Sequence, residues 1–189
     1  MADALPDWRL TVSRFIEGLM TSAMAGTLLI AVAGSAFDVR TRRIPNALTY
    51  GGLLAGLLFQ IASRGLEGVQ SSLAGAGVGL ALFLPLFALG GMGAGDVKLM
   101  AALGAWLGPE GAAWTALYAA FAGGVMAVVV ALARGYLRTA FANVWTLLGF
   151  WRFAGIRPLD GLTLQTSRGP RLPYALPITA GLFATLWLH

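Results

Sequence analysis

Uncharged apolar stretches recur along this sequence at the length needed to cross a bilayer. Residues 18–37, 46–63, 68–90 and 112–133 contain no Asp, Glu, Lys or Arg, and a bilayer core takes about 20 apolar residues of helix. Residues 173–188 form a slightly shorter run. Residues 97–107 form another, which at 1.5 Å per residue reaches only about 17 Å. The chain is 58% hydrophobic and 11% charged, against about 45–50% and about 25% in a soluble domain. One soluble core cannot hide that excess, so lipid must solvate much of it. The expected fold is all-α: a polytopic membrane protein of about six transmembrane helices plus a cytoplasmic interfacial helix. Residues 18–189 read as a single membrane domain.

Flanking segments complete the plan. Residues 1–17 carry Asp3, Asp7, Arg9, Arg14 and Glu17 among apolar residues and read as an N-terminal surface segment. They lack the basic start and small-residue cleavage site of a signal peptide. Residues 134–172 form a long connection. In it Leu137, Phe141, Trp145, Leu148 and Trp151 recur at helical spacing, which predicts an interfacial helix, and 156–171 read as a loop. Between residues 107 and 112, Gly108-Pro109-Glu110-Gly111 reads either as the turn after a short helix or as a loop beside a re-entrant segment.

Alternating spans place Arg40, Arg42, Arg43, Lys98, Arg134, Arg138, Arg152, Arg157, Arg168 and Arg171 on one side, leaving Arg9, Arg14 and Arg64 on the other. Basic loops face the cytoplasm, so the first side is cytoplasmic. The net charge of +5 then has a topological origin, and no nucleic-acid partner is needed.

Two acids stand out against this background. Asp38 ends the first apolar run, and Asp96 follows the glycine cluster Gly93-Ala94-Gly95. Acids at membrane depth are costly and mark functional sites, and both fall on the predicted cytoplasmic side. Two close carboxyl groups cannot both ionise easily, so one can activate water while the other donates a proton. The chain has no cysteine and one histidine, His189, so neither a zinc cluster nor a Ser-His-Asp triad is expected, and no metal or cofactor is needed. Gly93 and Gly95 are expected to let the backbone turn sharply and a substrate approach. The helix dipoles should treat the acids differently: Asp38 lies near a helix C-terminus, where negative charge is disfavoured, and Asp96 near an N-terminus, where it is favoured. A proton-coupled transporter using the same two aspartates is the alternative, although no internal repeat supports it.

Phe37-Asp38 followed by Arg42-Arg43-Ile44-Pro45-Asn46 resembles the first aspartate motif of the prepilin peptidases. Gly93-Ala94-Gly95-Asp96-Val97-Lys98 resembles their second motif, GxGDxK. Leu172-Pro173-Tyr174-Ala175-Leu176-Pro177-Ile178 looks like the segment opening the family's last helix. The resemblance implies a multi-pass aspartic endopeptidase of the bacterial inner membrane. It would cleave the leader of type IV prepilin-like precursors at the cytoplasmic face, with Asp38 and Asp96 as the catalytic pair. Arg43, Pro45, Asn46, Gly93, Gly95 and Lys98 are its site-shaping or substrate-binding candidates. The cysteine-rich insertion of the larger, methylating members is not expected in a chain without cysteine, so the resemblance points to the small tight-adherence (Flp-type) peptidases, without methyltransferase activity. A prepilin-like protein and the bilayer are the expected partners. The sequence specifies neither the pilin nor the oligomeric state.

Overall fold

A computed structural model describes residues 7–155 and 172–189. These residues form five helices, α1 (Asp7–Thr41), α2 (Asn46–Ala88), α3 (Ala94–Ala133), α4 (Leu137–Ala154) and α5 (Ala175–Leu188), with no strand among them. Among the described residues, three stretches are long and apolar enough to cross a membrane: Ser22–Thr41, Asn46–Ala88 and Ala94–Ala133.

Two of these helices are each divided by one glycine. Gly65 (φ 59°, ψ −130°) interrupts α2 and Gly108 (φ 74°, ψ −179°) interrupts α3. These backbone angles are open to glycine and strained for residues with a Cβ. The bend at Gly65 is sharp: a Cβ on Gly68 would run into the carbonyl of Gln60. So the runs 46–63 and 68–90 become the two segments of α2. The runs 97–107 and 112–133 become the two segments of α3. At Gly108 the break is a single residue, and Pro109, Glu110 and Gly111 already lie in the helix. Pro109 suits the first position after such a break because it has no N–H to satisfy. The carbonyl of Trp106 is freed by the bend and accepts a hydrogen bond from Gln60 Nε2 at 2.8 Å.

The first segment of α3 is the centre of the molecule. Asp96, Val97 and every residue from Leu99 to Ala105 are buried, so the helix is covered on all faces, as a helix apolar all round should be. Its short reach now has a cause: it is solvated by protein rather than lipid. Gly104 packs backbone to backbone on Gly75 of α2, and Trp106 wedges between Gly26 of α1 and Gly56 of α2. Trp106 Nε1 donates to the Gly52 carbonyl at 2.8 Å. Large apolar side chains such as Leu29, Leu66 and Phe121 point outward and are 72–75% exposed, the arrangement of a protein whose solvent is hydrocarbon.

The helix boundaries add to the sequence reading. Residues 7–17 are helical and continue into α1; residues 1–6 lie outside the described residues. Residues 137–154 form the helix α4, with Phe141, Val144 and Trp145 exposed. The expected loop 156–171, with Arg157, Arg168 and Arg171, also lies outside the described residues.

Candidate active site

Asp38 sits in the last turn of α1. The helix stops four residues on because Arg42 takes a positive φ of 55°, while its N–H closes on the Asp38 carbonyl at 2.9 Å. Pro45, extended at φ −60° and ψ 137°, then starts α2. Between them Ile44 turns inward, joins the core and covers Gly95, where a Cβ would stand 3.2 Å from the Ile44 side chain.

Asp96 is the third residue of α3. Its Oδ2 reaches back to accept the Gly93 N–H at 3.1 Å, one of the N–H groups a helix start leaves unpaired. Its Oδ1 is buried and has no partner among the described residues. The glycines here serve differently from the sequence expectation. Gly93 has an ordinary extended backbone (φ −83°, ψ 151°) and Gly95 is helical. The tight turn falls on Gly90 (φ 75°), and the need for glycine at 95 is set by Ile44.

The N-terminus of α5 joins the two acids. The Ala175 N–H donates to Asp38 Oδ2 at 3.3 Å. Tyr174, the residue before, lies within electrostatic reach of Asp96 and Tyr136, and the two carboxyl groups lie within reach of each other. Both are buried, Asp38 at 9% exposure and Asp96 at 6%. Asp38 lies at its helix C-terminus as expected, and α5 adds a second influence. Although it ends its own helix, it also caps the start of α5, so each acid holds an N–H at a helix N-terminus.

A polar latch one turn deeper fixes α5 against α1. Ser35 Oγ donates to the Ala175 carbonyl at 2.8 Å and lies 2.7 Å from Thr179 Oγ1, which donates to the Ala31 carbonyl at 3.0 Å. Hydrogen bonds between helices in lipid contribute about 0.6 kcal/mol on average and up to about 2 kcal/mol. Replacing Ser35 with Ala and Thr179 with Val should show a coupling of that order in a double-mutant cycle of unfolding in detergent.

The remaining candidates lie at the starts of α2 and α3 and in the turn before α2. Lys98 Nζ donates to Asn46 Oδ1 at 2.9 Å and lies 5.2 Å from the centre of the Tyr50 ring. It therefore ties the start of α3 to the start of α2. Arg43 is exposed, and its carbonyl accepts the Thr41 hydroxyl at 3.0 Å. The structure thus brings Asp38, Asp96, Gly93 and Gly95 together, sets Lys98 and Asn46 beside them as a clamp, and leaves the Arg43 side chain outside. Ser35 and Thr179 escaped the sequence reading; a hydroxyl one turn before Asp38 in an otherwise apolar stretch was the available signal.

The sequence profile of the type IV leader peptidase family matches residues 24–128, which include both aspartates. A prepilin leader peptidase/N-methyltransferase of Burkholderia pseudomallei (strain 1026b) is 39% identical over 123 residues, covering 61% of this chain and 39% of the relative. One of Dickeya chrysanthemi is 42% identical over 105 residues, covering 50% and 35%. The type 4 prepilin-like proteins leader peptide-processing enzyme of Escherichia coli O78:H11 is 34% identical over 116 residues, covering 57% and 43%. The chain thus spans well under two thirds of the length of each of these relatives. No solved structure matches the chain significantly.

Proposed function

The chain belongs to the type IV leader peptidase family, and from that premise we propose that it is an aspartic endopeptidase that removes the leader of a prepilin-like precursor, with Asp38 and Asp96 as its catalytic residues. One observation carries the reading: two buried carboxyl groups from distant parts of the sequence lie near enough to feel each other's charge, one of them bonded to the first N–H of α5.

The chemistry follows from the pair. One carboxylate takes a proton from water as the water oxygen attacks the scissile carbonyl carbon. The other, protonated, gives its proton to the carbonyl oxygen. Collapse of the tetrahedral intermediate breaks the C–N bond, the leaving amine takes a proton, and the pair again holds one. The buried Oδ1 of Asp96, without a donor among the described residues, is available to the attacking water. Lys98 and Asn46 act as positioning residues by fixing the start of α3, and Ile44 with Pro45 shapes the wall over Gly95.

In the membrane reading, α1 from about residue 18, the two segments of α2, the two of α3, and α5 make six crossings. The loops at Arg40–Arg43 and at Lys98, with the connection bearing α4, face the cytoplasm, as basic segments do. The acid pair then opens to the cytoplasmic side of the inner membrane, where a leader peptide and water are both present. α4 lies on that face as an interfacial helix, with Trp145 outward. An Flp-type precursor is the substrate favoured by the family resemblance.

Membranes containing the protein and a prepilin-like precursor should yield a shortened precursor whose new N-terminus lies at the leader boundary. Cleavage should persist in excess chelator, because a carboxyl pair needs no metal. An unprocessed precursor, or cleavage abolished by chelation, overturns the proposal.

A further inference from the structure

Tyr174 stands beside the acid pair on a main chain that is held in place. The next residue, Ala175, is fully buried and fixed at both ends. Its N–H donates to Asp38 Oδ2 at 3.3 Å, and its carbonyl accepts Ser35 Oγ at 2.8 Å. The Tyr174 carbonyl takes the Ile178 N–H at 3.2 Å, and its own backbone is already helical (φ −66°, ψ −20°). Tyr174 also packs against the buried core. A side chain on so fixed a backbone needs little reorganisation during a reaction, which is what a useful donor to developing charge requires.

The phenol is the polar end of this residue, and it lies within reach of the charge on Asp96. A phenol has an ordinary pKa of about 10, so near neutral pH it keeps its proton and can donate. Tyr174 is only half-buried, and it lines a cavity of about 270 Å³ together with Met92, the residue before Gly93. There is room beside it for a further group. Other donors near the pair are engaged: the Gly93 N–H on Asp96, the Ala175 N–H on Asp38, and Lys98 on Asn46. An oxygen that gains negative charge between the acids needs a donor of its own, and the Tyr174 hydroxyl is at hand.

We propose that Tyr174 is a third catalytic residue, whose hydroxyl donates a hydrogen bond to the scissile carbonyl oxygen as that oxygen becomes negative. The proposal rests on the reading of Asp38 and Asp96 as a peptidase pair. The carbonyl oxygen has two lone pairs. One receives the proton of the protonated acid, and the other accepts the phenol O–H, which keeps its proton throughout. No bond to Tyr174 forms or breaks. The contact strengthens as the carbonyl turns tetrahedral, so it lowers the barrier more than it tightens substrate binding.

Tyr174→Phe removes one oxygen and keeps the ring. It should lower kcat by about 10²-fold, leave KM unchanged, and unfold in detergent as wild type does. Tyr118→Phe is the control: its hydroxyl meets His189 just past the far end of α5, and the variant should cleave as wild type does. A leader-junction peptide with a difluoromethylene ketone at the scissile position hydrates to a tetrahedral diol, and its binding needs no turnover. Tyr174→Phe should weaken binding of this diol by a factor close to the loss in kcat/KM. Adding Tyr174→Phe to Asp96→Asn should leave precursor binding unchanged. Wild-type kcat in Tyr174→Phe, a loss carried by KM, or undiminished diol binding overturns the proposal. Asp96→Asn alone separates the two readings. Cleavage by it removes the acid pair, whereas an inactive Asp96→Asn beside a fully active Tyr174→Phe removes only the role of Tyr174.

Discussion

Asp38→Asn and Asp96→Asn should each reduce leader cleavage by about 10³-fold or more while leaving the protein folded. General acid–base catalysis contributes roughly 10²–10⁴-fold, and here each acid supplies half of one proton relay. The fold should survive because an amide side chain keeps an acceptor oxygen. At position 96 it can still accept the Gly93 N–H, and at position 38 the Ala175 N–H. The double variant should be no slower than either single one, since groups that act as a unit lose their function together. Processing of a co-expressed precursor, read by mass, checks all three variants, with detergent unfolding as the control. Cleavage surviving either single change removes the paired-acid mechanism and leaves the fold and family assignment standing.

Gly104→Val should have the largest effect on stability, costing about 4 kcal/mol or more. A Cβ on Gly104 would collide with the Gly75 carbonyl, and one on Gly75 with the Gly104 carbonyl. Both partners are main chain, so neither can swing aside. The collision lies in the central helix that carries Asp96, and the variant should fail to accumulate in membranes. Gly77→Ala is the matched control. It lies on the same segment of α2 with nothing within 4 Å of an added Cβ, and replacing a helical glycine there should be neutral or stabilising by up to about 1 kcal/mol. Denaturation in mixed detergent separates the two outcomes. Equal stability of Gly104→Val and wild type would mean that α2 and α3 do not pack as described.

The same two glycines mark the limit of what local sequence reveals. Gly77 and Gly104 look alike in an apolar, glycine-rich chain, and only the neighbouring helix distinguishes them. Trp106 is a similar case: nothing local says that its indole fills the space above Gly26 and Gly56 and donates to Gly52. At Gly93 and Gly95 the motif is visible in the sequence but its cause is not, because the demand for glycine at 95 comes from Ile44, far away in the chain.

Composition and residue order determined the helices and the acids. Long uncharged runs force helices into lipid, because an unpaired backbone amide there costs several kcal/mol. The same expense makes Asp38 and Asp96 conspicuous among apolar neighbours, and the motifs around them indicate the family. Those are local properties, carried by each segment wherever it lies. Whether the acids meet is not local. It depended on Gly65 and Gly108 folding two long helices back on themselves, and on Ser35 and Thr179 holding α5 so that the Ala175 N–H reaches Asp38. Side chains far apart in the chain converge only when packing sets the helix ends at one depth, and that depth is a property of the whole bundle.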